Sequence, residues 1–132
     1  MRNLPKTILI SLVCACFMLP NAGCSNSTRP ELGTIQGTVT LGGKPVEGAY
    51  LTFNPVDLGR SSHGKTNQEG NYEVTYIRDI KGAKVGTHEI TIRTVGPGYP
   101  GEIIPSQYND KSTLTEEIAP GENTIDFKLV KK

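Results

Sequence analysis

The apolar positions of this chain recur every second residue, in short bursts separated by turn-forming residues. In the clearest burst Tyr72, Val74 and Tyr76 share one parity and Glu73 and Thr75 the other, which predicts a half-buried strand. The turn before it, Thr66 to Asn71, holds Asn67, Gly70 and Asn71. Short amides bond their own backbone, and a glycine accepts positive φ at no steric cost. Upstream, Ile35, Gly37, Val39 and Leu41 alternate with Thr34, Gln36, Thr38 and Thr40, and Gly42-Gly43-Lys44-Pro45 ends that strand. Ala49, Leu51 and Phe53 form the inward set of a second strand, with Tyr50 and Thr52 outside and Asn54-Pro55 as its stop. Asp57 to His63 is polar and irregular, and reads as a loop. Gly86 to Arg93 repeats the alternation, with His88 on the parity of Ile90 and Ile92. Leu114 to Ile118 predicts a further strand. After a turn at Pro120-Gly121, Ile125, Phe127 and Leu129 mark the last.

No window sustains a helical stripe. Short strands with turn signals every 8–12 residues or so predict an all-β, seven-stranded, immunoglobulin-like β-sandwich over residues 34–132. Two facing sheets bury an apolar face that a single flat sheet would leave wet.

The first 33 residues carry a different pattern. Arg2 and Lys6 precede Ile8 to Leu19, a run in which Ser11 is the one polar residue. The run is too short for a hydrocarbon core, which needs about 20 residues, and suits the apolar region of an export signal. Ala22-Gly23-Cys24-Ser25 follows. Small residues directly before a cysteine, after such a run, resemble the cleavage box of bacterial lipoproteins. Asn21 stands where that box favours leucine. The resemblance implies a signal peptide over residues 1–23, with Cys24 diacylated as the first residue of the processed chain. Ordinary secretion is the alternative, and an uncleaved anchor a third. Residues 24–33, polar and stiffened by Pro30, read as a tether. Cell-envelope localisation follows, with the membrane reached through lipid on Cys24.

Charge and cysteine content narrow the functional classes. The formal net charge is +1. Removing Arg2 and Lys6 leaves 12 basic side chains against 13 acidic ones, a balance of −1. Neither value makes a basic footprint, so no nucleic-acid partner is expected. The three cysteines, Cys14, Cys16 and Cys24, all precede the domain, which therefore has no disulfide and no thiolate-bound metal.

The succession G-T-V-T-L-G-G-K-P-V, A-Y-L-T-F, T-N-Q-E-G-N-Y and G-T-H-E-I-T-I resembles the carboxypeptidase regulatory-like domains. These are transthyretin-like, seven-stranded β-sandwiches found as accessory modules and in bacterial envelope lipoproteins. The likeness covers about residues 34 to 130. It implies binding, spacing or folding support without chemistry of its own. Asn67 stands where that family often has aspartate, and His88 where it often has tyrosine. A related family that hydrolyses 5-hydroxyisourate ends in Tyr-Arg-Gly-Ser, whereas this chain ends in Phe127-Lys128-Leu129-Val130-Lys131-Lys132.

No catalytic, cofactor-binding or metal residues are assigned. Ser61-Ser62-His63 puts a nucleophile type beside a base type, but adjacent residues on an extended chain point apart. His88 is expected to be half-buried and hydrogen-bonded. Asp57, Glu69, Asp79 and Asp110 lack calcium-loop spacing.

The segment Val95 to Ser112 is long for a connection within a compact domain. Two readings of it stand. Ile103, Ile104 and Tyr108 pin it across the open end of the sandwich; or Tyr99, Ile103, Ile104 and Tyr108 form an interaction loop. The reading that results is a non-enzymatic, lipid-anchored envelope protein serving as an interaction or structural module, with an envelope protein or glycan as partner. The alternative is a carbohydrate- or peptide-binding accessory protein of an envelope hydrolase, using Tyr50, Tyr99 and Tyr108 as contact surfaces.

Overall fold

The computed structural model describes residues 29–95 and 101–131. Strands follow one another as β1 (Leu32–Leu41), β2 (Lys44–Pro45), β3 (Tyr50–Pro55), β4 (Ser62–Lys65), β5 (Asn71–Ile77) and β6 (Ile80–Lys81). Then come β7 (Ala83–Lys84), β8 (Gly86–Arg93), β9 (Leu114–Ile118), β10 (Gly121–Thr124) and β11 (Phe127–Leu129). Among the described residues the one helical element is a 3-10 turn at Ser106–Tyr108. The protein is all-β. Seven strands lie along one curled path in the order β10-β1-β5-β4-β3-β8-β9, and the four shorter ones attach to β1 or β5.

β1 is the hub. One of its edges is antiparallel and is taken in turn by β7 at Leu32–Gly33, β5 at Gln36–Thr38 and β2 at Thr40–Leu41. The other edge is parallel, with β10 beside Gly33–Gln36 and β11 beside Val39–Leu41. Ten residues of alternating sequence thus organise five other strands.

The curl brings β1, β5 and β11 over β3, β8 and β9. Phe53 stands at the centre, with ring centroids 6.3 Å from Phe127, 6.5 Å from Tyr72 and 6.2 Å from His88. Ile35, Val39, Leu51, Val74, Ile90, Ile92 and Ile118 fill the rest, each nearly inaccessible. Burial of such side chains contributes roughly 1.5–3 kcal/mol each before conformational entropy is subtracted. Tyr72 and Val74 face inward and Glu73 outward, as the alternation predicts, while Tyr76 is half-buried.

Three boundaries depart from the sequence reading. β1 begins at Leu32, two residues inside the stretch read as tether. Asp57 to His63 is not wholly a loop, because Ser62 and His63 open β4. The inward positions of β4 are Ser62, Gly64 and then Thr66, all buried yet none of them apolar, so the strand carries no hydrophobic signal. Gly64 has no room for a side chain because β5 lies alongside: a Cβ there would stand 3.4 Å from the Tyr72 ring and 3.0 Å from the Glu73 carbonyl. The last strand is two, β10 and β11, broken at Ile125–Asp126 where the chain crosses over Gly37.

Candidate functional site

The outward face of the sheet presents one row of unlike side chains on consecutive strands. The pairings Gln36↔Glu73, Tyr50↔Lys65 and Tyr50↔Arg93 are direct, and continuing the β4–β5 register past Gly64↔Val74 sets Lys65 opposite Glu73. The row therefore reads Gln36, Glu73, Lys65, Tyr50, Arg93. Outward parity makes these residues polar, since water is their neighbour on that side. Lys65 holds its ammonium 5.0 Å from the centre of the Tyr50 ring, a cation–π contact on an aromatic that remains 48% exposed. Glu73 faces Lys81 at 3.6 Å.

An open groove lies at the β1–β5 end of this row. Its floor is Gln36, Gly37 and Thr38 with Tyr72 and Glu73, and its walls are Asn67, Asn71 and Lys65 on one side and Thr124 and Asp126 on the other. The Asn67 side-chain oxygen accepts the backbone N–H groups of Glu69 and Asn71, both at 3.0 Å, so the turn supplying one wall is held by its own amide. The opposite wall is held by Asp126, whose carboxylate accepts the Thr38 N–H at 2.9 Å and the Thr38 hydroxyl at 3.1 Å. Tyr72 donates its hydroxyl to the Ile125 carbonyl at 2.6 Å. Burial, reinforced by the negative charges of Asp126 and Glu116, pushes its pKa well above that of a free phenol. Tyr72 is a fixed neutral donor.

The residues of Ser61-Ser62-His63 separate, as extended backbone requires. The Ser61 hydroxyl donates to the Asn54 side-chain oxygen at 2.5 Å, His63 lies 3.4 Å from the Thr52 hydroxyl, and Ser62 turns inward. His88 is more buried than the half-buried side chain expected. Its Nε2 lies 2.7 Å from the Lys84 carbonyl, which can only accept, so Nε2 carries the proton. The His88 Nδ1 and the Ser62 hydroxyl are buried without a partner among the described residues. Among those residues no group of three or more His, Cys, Asp or Glu is placed to hold a metal ion.

The expected interaction loop divides. Ile104 is buried in the core, and Tyr108 packs against it, its hydroxyl accepting the Val130 N–H at 3.1 Å. Both pin the segment. Ile103 does not, being 58% exposed. Tyr99 lies outside the described residues, as do the signal segment, Cys24 and the rest of the first half of the tether.

The fastening itself comes from polar side chains that apolar periodicity could not reveal. The Glu102 carboxylate accepts the Thr94 hydroxyl at 2.7 Å and the N–H groups of Thr94, Val95 and Ile104. Partial burial alone would raise its pKa. The bonds from Thr94, Ile104 and Val95 outweigh burial and lower it. The buried Asn109 side-chain N–H groups donate to the carbonyls of Ile92, Ile104 and Pro105, and the Ser112 hydroxyl donates to that of Ile90.

No family model matches the chain, and no curated protein does. A solved structure to which it is similar is the dioxygenase domain of a dioxygenase–carbohydrate-binding protein fusion from the cellulolytic bacterium Streptomyces sp. SirexAA-E. The two are 23% identical over 80% of this chain and 83% of that one, with a TM-score of 0.40.

Proposed function

We propose that this protein is a lipid-anchored bacterial envelope module of the carboxypeptidase regulatory-like kind, acting by contact and not by chemistry. The observation that carries the reading is the polar groove and the row leading out of it. Gln36, Asn71, Glu73 and Thr124 offer amide, carboxylate and hydroxyl groups on rigid strands, while the one phenol in the groove is held neutral by burial. Rigid, pre-set hydrogen-bonding groups bind at low entropic cost. Cys24 supplies the anchor through the small-residue box before it. Two acyl chains hold a protein firmly where one is marginal.

A finer reading gives the groove a hydroxyl-rich ligand such as a glycan. It is favoured by Tyr50, an exposed aromatic on the same outward row as the amide of Gln36 and the carboxylate of Glu73. Aromatic faces and paired polar groups are what a sugar ring needs.

Glycan arrays and pull-down from envelope extract test the module, using the parent and Gln36→Ala/Tyr50→Ala. Capture lost in the double variant, with an unchanged denaturation midpoint, supports the groove. Equal capture by both proteins sinks it. For the anchor, Cys24→Ala is expected to abolish partitioning into detergent and the mass increment of lipid.

A further inference from the structure

We propose that the loop between β3 and β4, residues 56–61, rests on the lipid bilayer and seats the domain against the membrane beside its anchor. The inference rests on the reading that Cys24 carries lipid. Leu58 is 95% exposed and Val56 is 65% exposed, two large aliphatic side chains separated only by Asp57. Single exposed apolar residues are ordinary, and exposure by itself would decide nothing. Place decides it.

The loop is tied at both of these residues. The Val56 N–H donates to the Thr87 carbonyl at 2.9 Å, and the Lys84 ammonium donates to the Leu58 carbonyl at 2.7 Å. Lys84 is the register partner of Leu32 at the start of β1, and the Val85 N–H donates to the Glu31 carbonyl at 2.9 Å. The apolar tip is therefore fastened to the end of the sandwich at which the chain arrives from Cys24. Positions 24 and 31 are seven residues apart, a span of at most ~25 Å even when fully extended. A diacylated Cys24 lies at the bilayer surface, so this end of the domain stays within that reach. Leu58 then faces lipid at high effective concentration, and a weak apolar contact suffices to orient the domain.

Charge does not carry the contact. Arg29, Arg60, Arg78 and Lys84 at this end are balanced by Glu31, Asp57, Asp79 and Glu117, so zwitterionic lipid serves as well as anionic. Seating at this end turns the Asn67–Asn71 turn, at the other end of β4 and β5, away from the membrane. That turn walls the groove, which is thereby left open to a partner.

The chain contains no tryptophan, so one introduced residue is a clean reporter. Leu58→Trp and, in the turn at the far end of β4, Gln68→Trp are made in the full-length protein, processed in cells and reconstituted into phosphatidylcholine vesicles with brominated acyl chains. Intact mass on the same samples reads the lipid on Cys24. With lipid present, the expected result is a blue-shifted Leu58→Trp emission quenched several-fold more than that of Gln68→Trp. Lipid present with equal quenching, or a blue shift without bromine quenching as a protein contact would give, overturns the docking and leaves the anchor standing. A processed chain without lipid mass overturns the anchor and the docking with it. Both sites are exposed, so neither substitution disturbs the core.

Discussion

The two edges of β1 are held by different physics. Its antiparallel edge meets β5, 33 to 37 positions on, beside the Asn67–Asn71 turn that joins β4 to β5. There Gly70 takes a φ of +76°, its carbonyl accepts the Val39 N–H at 2.8 Å, and the Asn67 side chain ties the bend. Everything needed for that turn lies within five residues. Its parallel edge meets β10 and β11, whose residues lie nearly ninety positions away, as in Thr38 and Asp126, 88 apart. No local turn can produce that pairing, and loop closure over such a span costs entropy that only tertiary contact recovers. The signature of the parallel edge is space. A Cβ on Gly37 would collide with the Ile125 carbonyl, and one on Gly33 with that of Ala119. Glycine thus serves one edge through its backbone freedom and the other through its missing side chain.

Substitutions can break this comparison, and the largest effect is expected on the parallel edge. Gly37→Ala must displace backbone, pushing Ile125 off its bonds with the Gln36 carbonyl and the Tyr72 hydroxyl. A loss of about 3 kcal/mol or more is expected from urea denaturation. Gly70→Val follows, at about 2 kcal/mol, because a β-branched residue is a poor occupant of positive φ and its Cβ would sit 2.8 Å from the Val39 carbonyl. If Gly70→Val proves the more damaging, the local turn and not the crossing is the tighter constraint on β1.

The pair Val74→Ala and Glu73→Ala sharpens the parity beneath that turn. Val74 is fully buried, and removing its methyls leaves a cavity at a cost of about 1–2 kcal/mol. Glu73 points outward to an exposed Lys81, and its loss should stay within about 0.5 kcal/mol. Equal midpoints for the two variants would mean that β5 does not present alternate faces.

The smallest effect is local and depends on pH. Glu102 has a lowered folded pKa, so its fastening of the Thr94–Ile104 segment is present above the ordinary carboxylate value, about 4.3, and is lost as pH falls through the lowered one. Protection of the Val95 and Ile104 amides, relative to the intrinsic exchange rate at each pH, should fall across that window in the parent. In Glu102→Gln it should show no such titration. Protection in the parent that stays constant through the window would show that the bonds to Glu102 are not what closes this segment.

Where the strands lie was legible in two-residue alternation wherever the inward residues are apolar: β1, β3, β5, β8 and β9 all sit at or within two residues of their expected places. Alternation encodes burial on one face, and burial is what the fold uses. β4 escaped because its inward residues are Ser62, Gly64 and Thr66: Gly64 leaves room for Tyr72, and the Thr66 hydroxyl accepts the Ala49 N–H at 2.8 Å and donates to the Val46 carbonyl at 2.5 Å. The candidate groove escaped for a similar reason. Gln36, Asn71, Glu73 and Asp126 belong to three segments whose neighbourhood depends on register, and each alone is an ordinary polar residue on a solvated face. Local chemistry by itself determined the strand class, the Gly70 turn, the direction of Tyr72 and Val74, and the distinct pattern of the first 33 residues. Only the tertiary structure decided that one strand is shared by five others, that the chain's end runs parallel to its beginning, and that Leu58 is held at the end where the chain enters. Those are relations between distant segments, and a hydrophobic pattern states which face is buried without naming what covers it.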